Sequence, residues 1–325
     1  MNNQNTNKLI IELSLLLGQS EDSGTIFYYY IKRYFERYLS VLDDYEYSVV
    51  NLLNNINDDF LGNATYKRFR NLMNKINTVC LEILELAYHG NIIGAMTLMR
   101  KLLLTQQYTD YKLKDRYVNY LQLEIGERET LYRCVDFKEG EIPESCGHVP
   151  FNLRHLASRG RFNLLGIPCL YLSNSLDCAQ SESGAVKGRK RRWRGVFLPQ
   201  RTLYFANFTI PQSDSVESMS EFDKFSFLIT YPLRLLCLTK TRYEDVPFTE
   251  EYLFSQLFFH VLFYDSSDGF PKFDGICYSS TKALSGVNYV IPATYKQSEP
   301  PTEGTSTDVR DKIKEISVNP IITST

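Results

Sequence analysis

The sequence predicts an α+β protein: a helical region over residues 1–125, a mixed β-sheet domain with helices over 131–295, and a polar tail over 296–325. Three observations predict it. Up to about residue 125, apolar residues recur at three- and four-residue steps, the period of helices that bury one face. From Leu131 onward the texture changes to short apolar runs separated by polar turns, as strands require. Hydrophobic residues make up 43% of the 325 residues and charged residues 23%, an ordinary globular mixture with enough apolar mass for a real core.

Among the helices, Thr25–Asp43 and Tyr47–Phe60 carry the helical period, and Thr65 to Tyr88 carries it most clearly. There Phe69, Leu72, Met73, Ile76, Cys80, Ile83, Leu84 and Ala87 share one face. Thr65 is placed to cap that helix and Gly90 to end it; Asn91 is placed to cap the next. The stripe of Phe69, Met73, Ile76, Ile83 and Leu84 cannot stay in water, because such side chains gain roughly 1.5–3 kcal/mol each on burial. Packing against the rest of the chain and a homo-oligomer are therefore expected. Strands are expected at Leu131–Val135, Cys169–Ser173, Gly195–Leu198, Leu203–Phe208, Leu235–Leu238, Gly275–Ser279 and Asn288–Ile291, with one helix among them from Thr249 to about Phe263. Loops are expected at Ser181–Arg194, Gln212–Glu221 and Tyr264–Asp274. The Pro-, Ser- and Thr-rich tail after Lys296 is expected to be partly mobile.

Charge and cysteine usage narrow the partners. Lys plus Arg number 36 and Asp plus Glu 38, so the net charge of −2 gives no general attraction to nucleic acid or anionic membrane. The N-terminal apolar run is broken by Glu12 and Ser14 and lacks a basic lead, unlike a signal peptide. No stretch approaches the ~18 consecutive apolar residues of a membrane span. Seven cysteines without CxxC spacing fit reduced thiols and a cytoplasmic location, in which the sequons at Asn63 and Asn207 are silent. Cys134, Cys146 and His148 offer three zinc ligands but no fourth at metal spacing, so no metal is expected. Lys187–Arg194 interleaves cations with the single Trp, as a nucleic-acid contact would. Its place just after Glu182 in a net negative chain favours a solvated loop at the rim of the site, with an anion or acceptor contact as the next reading.

The segment richest in chemistry runs from Arg161 to Glu182. Leu165-Gly166-Ile167-Pro168 can turn the chain so that the strand holding Tyr171 returns beside Arg161. Ser173 or Ser175 can then cap a short helix with Glu182 near its end. An arginine, a tyrosine and a glutamate are thus gathered by a short length of chain. The bland reading is a hairpin with an exposed Arg and a solvated Glu.

Arg161-Phe162-Asn163, then Gly166-x-Pro168, then Leu170-Tyr171-Leu172 and an acidic residue at 182 resemble the opening motifs of RES domains. Leu131-Tyr-Arg133 is similar to that domain's first strand, Phe273 to Ser280 to its serine strand, and Gly286-Val-Asn288-Tyr-Val to the asparagine strand that follows. Phe162 stands where the family commonly has Tyr or Trp, and the serine strand offers both Ser279 and Ser280, of which Ser280 fits the family spacing. The resemblance implies an ADP-ribosyltransferase-like fold over residues 131–295. It also implies NAD⁺ as substrate and no other cofactor. The expected reaction is cleavage of the nicotinamide–ribose bond, with water, phosphate or a protein as acceptor. Catalysis would rest on Glu182, Arg161, Tyr171 and Ser280, and Arg161, Asn163, Tyr171, Ser280 and Asn288 would bind the dinucleotide. A role as toxin or defence effector, with a helix-turn-helix antitoxin as partner, is implied with it. The competing expectation is a non-catalytic RES-like scaffold that binds a partner through its basic segment and helices.

Overall fold

In a computed structural model the chain is α+β, as its texture predicts. The structure describes residues 2–17, 26–56, 66–108, 111–113, 115–186, 188–243, 246, 248–264, 270–283, 285–294 and 307–321. Thr65, the Asn63 sequon, Lys187, and parts of the 264–274 loop and of the tail lie outside them. Five helices open the chain: α1 (Asn2–Leu16), α2 (Phe27–Asp44), α3 (Glu46–Asn55), α4 (Tyr66–Tyr88) and α5 (Ile92–Leu104). A two-residue ladder, β1 (Gln107–Tyr108) with β2 (Tyr111–Lys112), precedes β3 (Gln122–Ile125), β4 (Leu131–Lys138), β5 (Cys169–Ser173), α6 (Leu176–Ser183), β6 (Lys190–Pro199) and β7 (Leu203–Phe208). Then come α7 (Glu221–Leu238), α8 (Glu250–Tyr264), β8 (Gly275–Ser279), β9 (Val287–Pro292), α9 (Thr307–Lys312) and β10 (Ile313–Pro320).

The sequence divides the chain once, near residue 125; the contacts group 1–121 with 210–271, and 122–209 with 272–325. Strand pairing explains the inserted segment. β7 and β8 are neighbours and parallel, and a parallel pair needs a long crossover. That crossover is residues 209–274, and it carries α7 and α8.

The helical unit is built around α7, whose side chains from Lys224 to Leu238 are all buried. A helix buried on every side is a core helix and shows little amphipathic signal. Leu235–Leu238, expected as a strand, is therefore the last turn of an 18-residue helix. A short apolar run cannot be told from a strand by periodicity, and Pro232 just before it masks the helix. Proline lacks the N–H that would bond the carbonyl four residues back, here Leu228. The buried Tyr38 hydroxyl supplies that bond, donating to Leu228 O at 2.9 Å while its ring stacks on Tyr231 at 4.4 Å. Tyr38→Phe is expected to keep the stack but orphan the carbonyl, lowering unfolding free energy by about 1–3 kcal/mol in a denaturant titration. An unchanged midpoint would show that the proline's carbonyl is satisfied in another way.

The stripe on α4 is fully buried, with Phe69, Met73, Ile76, Ile83 and Leu84 each 0% exposed. Its neighbours are α2, α5, α7 and α8 of the same unit. The stripe therefore requires no second copy, and the homo-oligomer argued from it loses that argument. Gly90 ends α4 at φ +74°, and the Asn91 side chain accepts from Gly94 N at 3.0 Å to start α5, as the sequence predicts.

The second unit holds one eight-stranded sheet in the order β10-β6-β4-β5-β9-β8-β7-β3, antiparallel except for β7 and β8. Alternation along its strands separates two faces. Leu170, Leu172, Tyr289, Ile291, Phe197 and Phe205 join one apolar core. Tyr171, Ser173 and Asn288 fall on the opposite side. The stretch read as a loop up to Arg194 is strand from Lys190, and β6 lies between β4 and β10. Charge hid its alternation: Trp193, Gly195 and Phe197 are buried between more exposed residues. Within the stretch read as tail, residues 307–320 form α9 and β10, and β10 closes the sheet against β6.

Among the described residues, no helix is long and apolar enough to cross a membrane. All seven cysteines are free and buried.

Candidate active site

The site begins with β5. Cys169, Tyr171 and Ser173 share a face, and Ser175 follows immediately as N-cap of α6, its hydroxyl accepting from Cys178 N at 3.2 Å. The cap fixes where α6 starts and so places Glu182 in its last turn. Gly184, at φ +67°, ends the helix. Arg192 of β6 then ties that end down, donating from Nη1 to Gly184 O at 2.7 Å and holding Asp136 with two bonds of 2.6 and 2.8 Å. One member of the basic stretch thus has a structural post, whereas Arg191 is exposed and lies over the Trp193 ring.

Glu182 Oε1 accepts two short bonds, from Ser280 Oγ and from Asn288 Nδ2, both at 2.6 Å. Each donor is held from behind. Asn288 Oδ1 accepts from the buried Ser173 hydroxyl at 2.7 Å, which orients the amide with its NH₂ toward the glutamate. Ser280 Oγ accepts from the backbone of Lys282 at 3.0 Å and Ala283 at 2.9 Å, so its proton is directed at Glu182. Of the two candidate serines, Ser280 is the one whose hydroxyl reaches the carboxylate. Oε2 of Glu182 has no bond to a described residue. The Cys178 thiol touches Asn288 Oδ1 at 3.5 Å, and burial raises its pKa, which makes it a poor nucleophile.

The chain before β5 is a tight loop organised by Asn163. Its Nδ2 donates to the carbonyls of Ser158, Leu164 and Ile167 at 3.0–3.1 Å, and its Oδ1 accepts from the Tyr171 hydroxyl at 2.6 Å. Gly166 makes the expected turn at φ +77°. Gly160 is required for a different reason: a Cβ there would lie 2.6 Å from Asn163 Oδ1 and collide with the Tyr171 hydroxyl. Phe162 is fully buried against Tyr278 and Phe208, at centroid distances of 5.1 and 5.9 Å. A hydroxyl on so buried a ring would need a hydrogen-bond partner, which Phe does not.

Among the described residues, two adjoining cavities open here. One, of about 330 Å³, is lined by Glu182, Asn288, Tyr171, Tyr132, Tyr278 and Arg133 among others. The other, of about 220 Å³, is lined by Asn163, Gly160, Arg159, Tyr171 and Arg133. Tyr171, Ser158 and Arg133 line both, so the two spaces adjoin. Arg161, 6% exposed, lines neither. The sequence motifs place Arg133 only in the domain's first strand. Burial lowers its pKa from the ordinary guanidinium value, and its Nη1 donates to Gly147 O at 2.6 Å. The sequence signal was available: an arginine inside an apolar strand segment, Leu131-Tyr-Arg-Cys-Val135, is costly unless it has a partner or a task. Among the described residues no group of three His, Cys, Asp or Glu could hold a metal ion.

The chain is similar over 168 residues, at 22% identity, to a Bacillus subtilis (strain 168) protein named "Putative toxin YopC". The similarity covers 46% of this chain and 37% of that protein, so this chain spans well under two thirds of its relative. No solved structure matches. The model of the RES domain matches residues 130–306, more than half of the chain and the whole of the site just described, and the chain therefore belongs to the RES-domain family.

Proposed function

We propose that this chain cleaves the nicotinamide–ribose bond of NAD⁺ and acts as a toxin or defence effector. The observation that carries the reading is Glu182: a carboxylate lining a cavity, fixed through Oε1 by Ser280 and Asn288, with no bond from a described residue at Oε2. Breaking this bond develops positive charge on the ribose, and a preorganised carboxylate stabilises it without reorganising at the moment of reaction. The same oxygen can orient a ribose hydroxyl or the incoming acceptor. Tyr171, between the two cavities, offers a ring face to nicotinamide while Asn163 holds its hydroxyl. The grip on the pyrophosphate is assigned to Arg133 with Arg159 rather than to Arg161, because Arg133 lines both cavities and Arg159 the smaller one.

The acceptor is water, phosphate or a protein, and one experiment separates them. Purified full-length protein is incubated with NAD⁺, with and without phosphate, and the products are weighed by mass spectrometry. Nicotinamide is expected in every case. Free ADP-ribose identifies hydrolysis, a phosphorylated ADP-ribose phosphorolysis, and a protein adduct transfer. No nicotinamide under any condition, with NAD⁺ unchanged in expressing cells, would favour the non-catalytic scaffold. A cytoplasmic setting and restraint by a helix-turn-helix partner accord with this reading and are part of the proposal.

A further inference from the structure

We propose that Glu315, on the C-terminal strand beyond the RES match, is a positioning residue that holds Arg133 in place at the site. The inference rests on the reading of Arg133 as the group that binds the NAD⁺ pyrophosphate. Residues 139–150, which follow β4, form no helix or strand, so other groups must fix them. Glu315 does so at both carboxylate oxygens. Oε2 accepts from Ser145 Oγ at 2.6 Å and Oε1 from Cys146 N at 2.9 Å. Gly147 N donates to Ser145 Oγ at 2.9 Å, and Gly147 O accepts from Arg133 Nη1 at 2.6 Å. Four hydrogen bonds thus connect the last strand of the sheet to the guanidinium.

Two further features show that the arrangement is built. The pairing of β10 with β6 slips between Glu315 and Ser317, a bulge of the kind that re-aims a side chain. Gly195 is paired with Arg133 across β4 and β6, and it has no side chain where the carboxylate passes. A Cβ on Gly195 would lie 2.6 Å from Glu315 Oε1 and 2.7 Å from Cys146 Cβ. The negative charge of Glu315 also favours the charged form of Arg133, opposing the cost of its burial. Gly147 O uses one guanidinium proton and orients the planar fork, leaving other donors for a ligand.

The test measures nicotinamide release by the full-length protein with NAD⁺ varied. Glu315→Gln keeps the shape but loses the charge and turns one of the two acceptor oxygens into an NH₂ donor, so one charge-assisted bond is lost and the other weakened. KM is expected to rise about tenfold with kcat within about threefold, because a pyrophosphate contact is equal in ground and transition states. Glu315→Gln added to Arg133→Ala should do no further harm, since both act through one group. Glu315→Asp should recover part of the loss. A folded Glu315→Gln protein with KM within about twofold of the wild type would overturn the inference and leave the NAD⁺ reading standing. A wild-type protein that releases no nicotinamide removes the reading and the inference together. Should Glu315→Gln fail to fold, Ser145→Ala removes the bond at Oε2 and the one that Ser145 Oγ accepts from Gly147 N; a KM rise of about threefold supports the link, and an unchanged KM overturns it.

Discussion

Glu182→Gln is expected to lower kcat for NAD⁺ cleavage by at least about 100- to 1,000-fold while leaving the fold intact. The replacement is isosteric, and a Gln carbonyl can still accept from Ser280 Oγ and Asn288 Nδ2, so the two 2.6 Å contacts need not be lost. What disappears is the negative charge that the proposed reaction sets against the developing ribosyl cation, a contact made chiefly in the transition state. KM should therefore move little. Single-turnover release of nicotinamide measures the chemical step directly, and a thermal melt checks that the structure persists. A near-normal kcat in a folded protein would mean that Glu182 is a structural anchor for Ser280 and Asn288, and another group would have to do the chemistry.

Arg133→Ala should act on the other parameter. If Arg133 binds the pyrophosphate as proposed, losing its buried guanidinium is expected to raise KM by about 100-fold, with a smaller change in kcat, because bidentate charge-assisted bonds form before the reaction starts. Arg133→Lys should recover only part of this, since an ammonium cannot grip two oxygens in one plane. Arg161→Ala is the matched comparison. Arg161 is 6% exposed and outside both cavity linings, so its removal should reduce stability more than binding. Should Arg161→Ala raise KM and Arg133→Ala leave it unchanged, the pyrophosphate site belongs to the loop before β5 after all.

The sequence by itself determined what depends on neighbours in the chain. The period of α4, its Gly90 stop, the Asn91 cap and the short apolar run of β5 were all legible, because these are signals of local geometry. So were the Gly166 turn and the α6 cap that bring Tyr171 and Glu182 close together. The family was legible for the same reason, since its motifs are short and their order is linear.

Only the tertiary structure decided which distant residues meet. Ser280 lies 98 positions from Glu182, and Asn288 lies 106 from it; their convergence required β9 to pair with both β5 and β8. Arg133 became a site residue only when β4 was placed beside β5, at the junction of two cavities. The apolar run at Leu235–Leu238 became helix because a fully buried helix has no periodic face and the Tyr38 hydroxyl serves the carbonyl that Pro232 leaves. The basic stretch became a strand because β4 and β10 supplied its hydrogen bonds. Local period follows from φ, ψ and side-chain shape, whereas pairing and burial depend on the free energy of the whole core, to which each short segment contributes too little to reveal its partner.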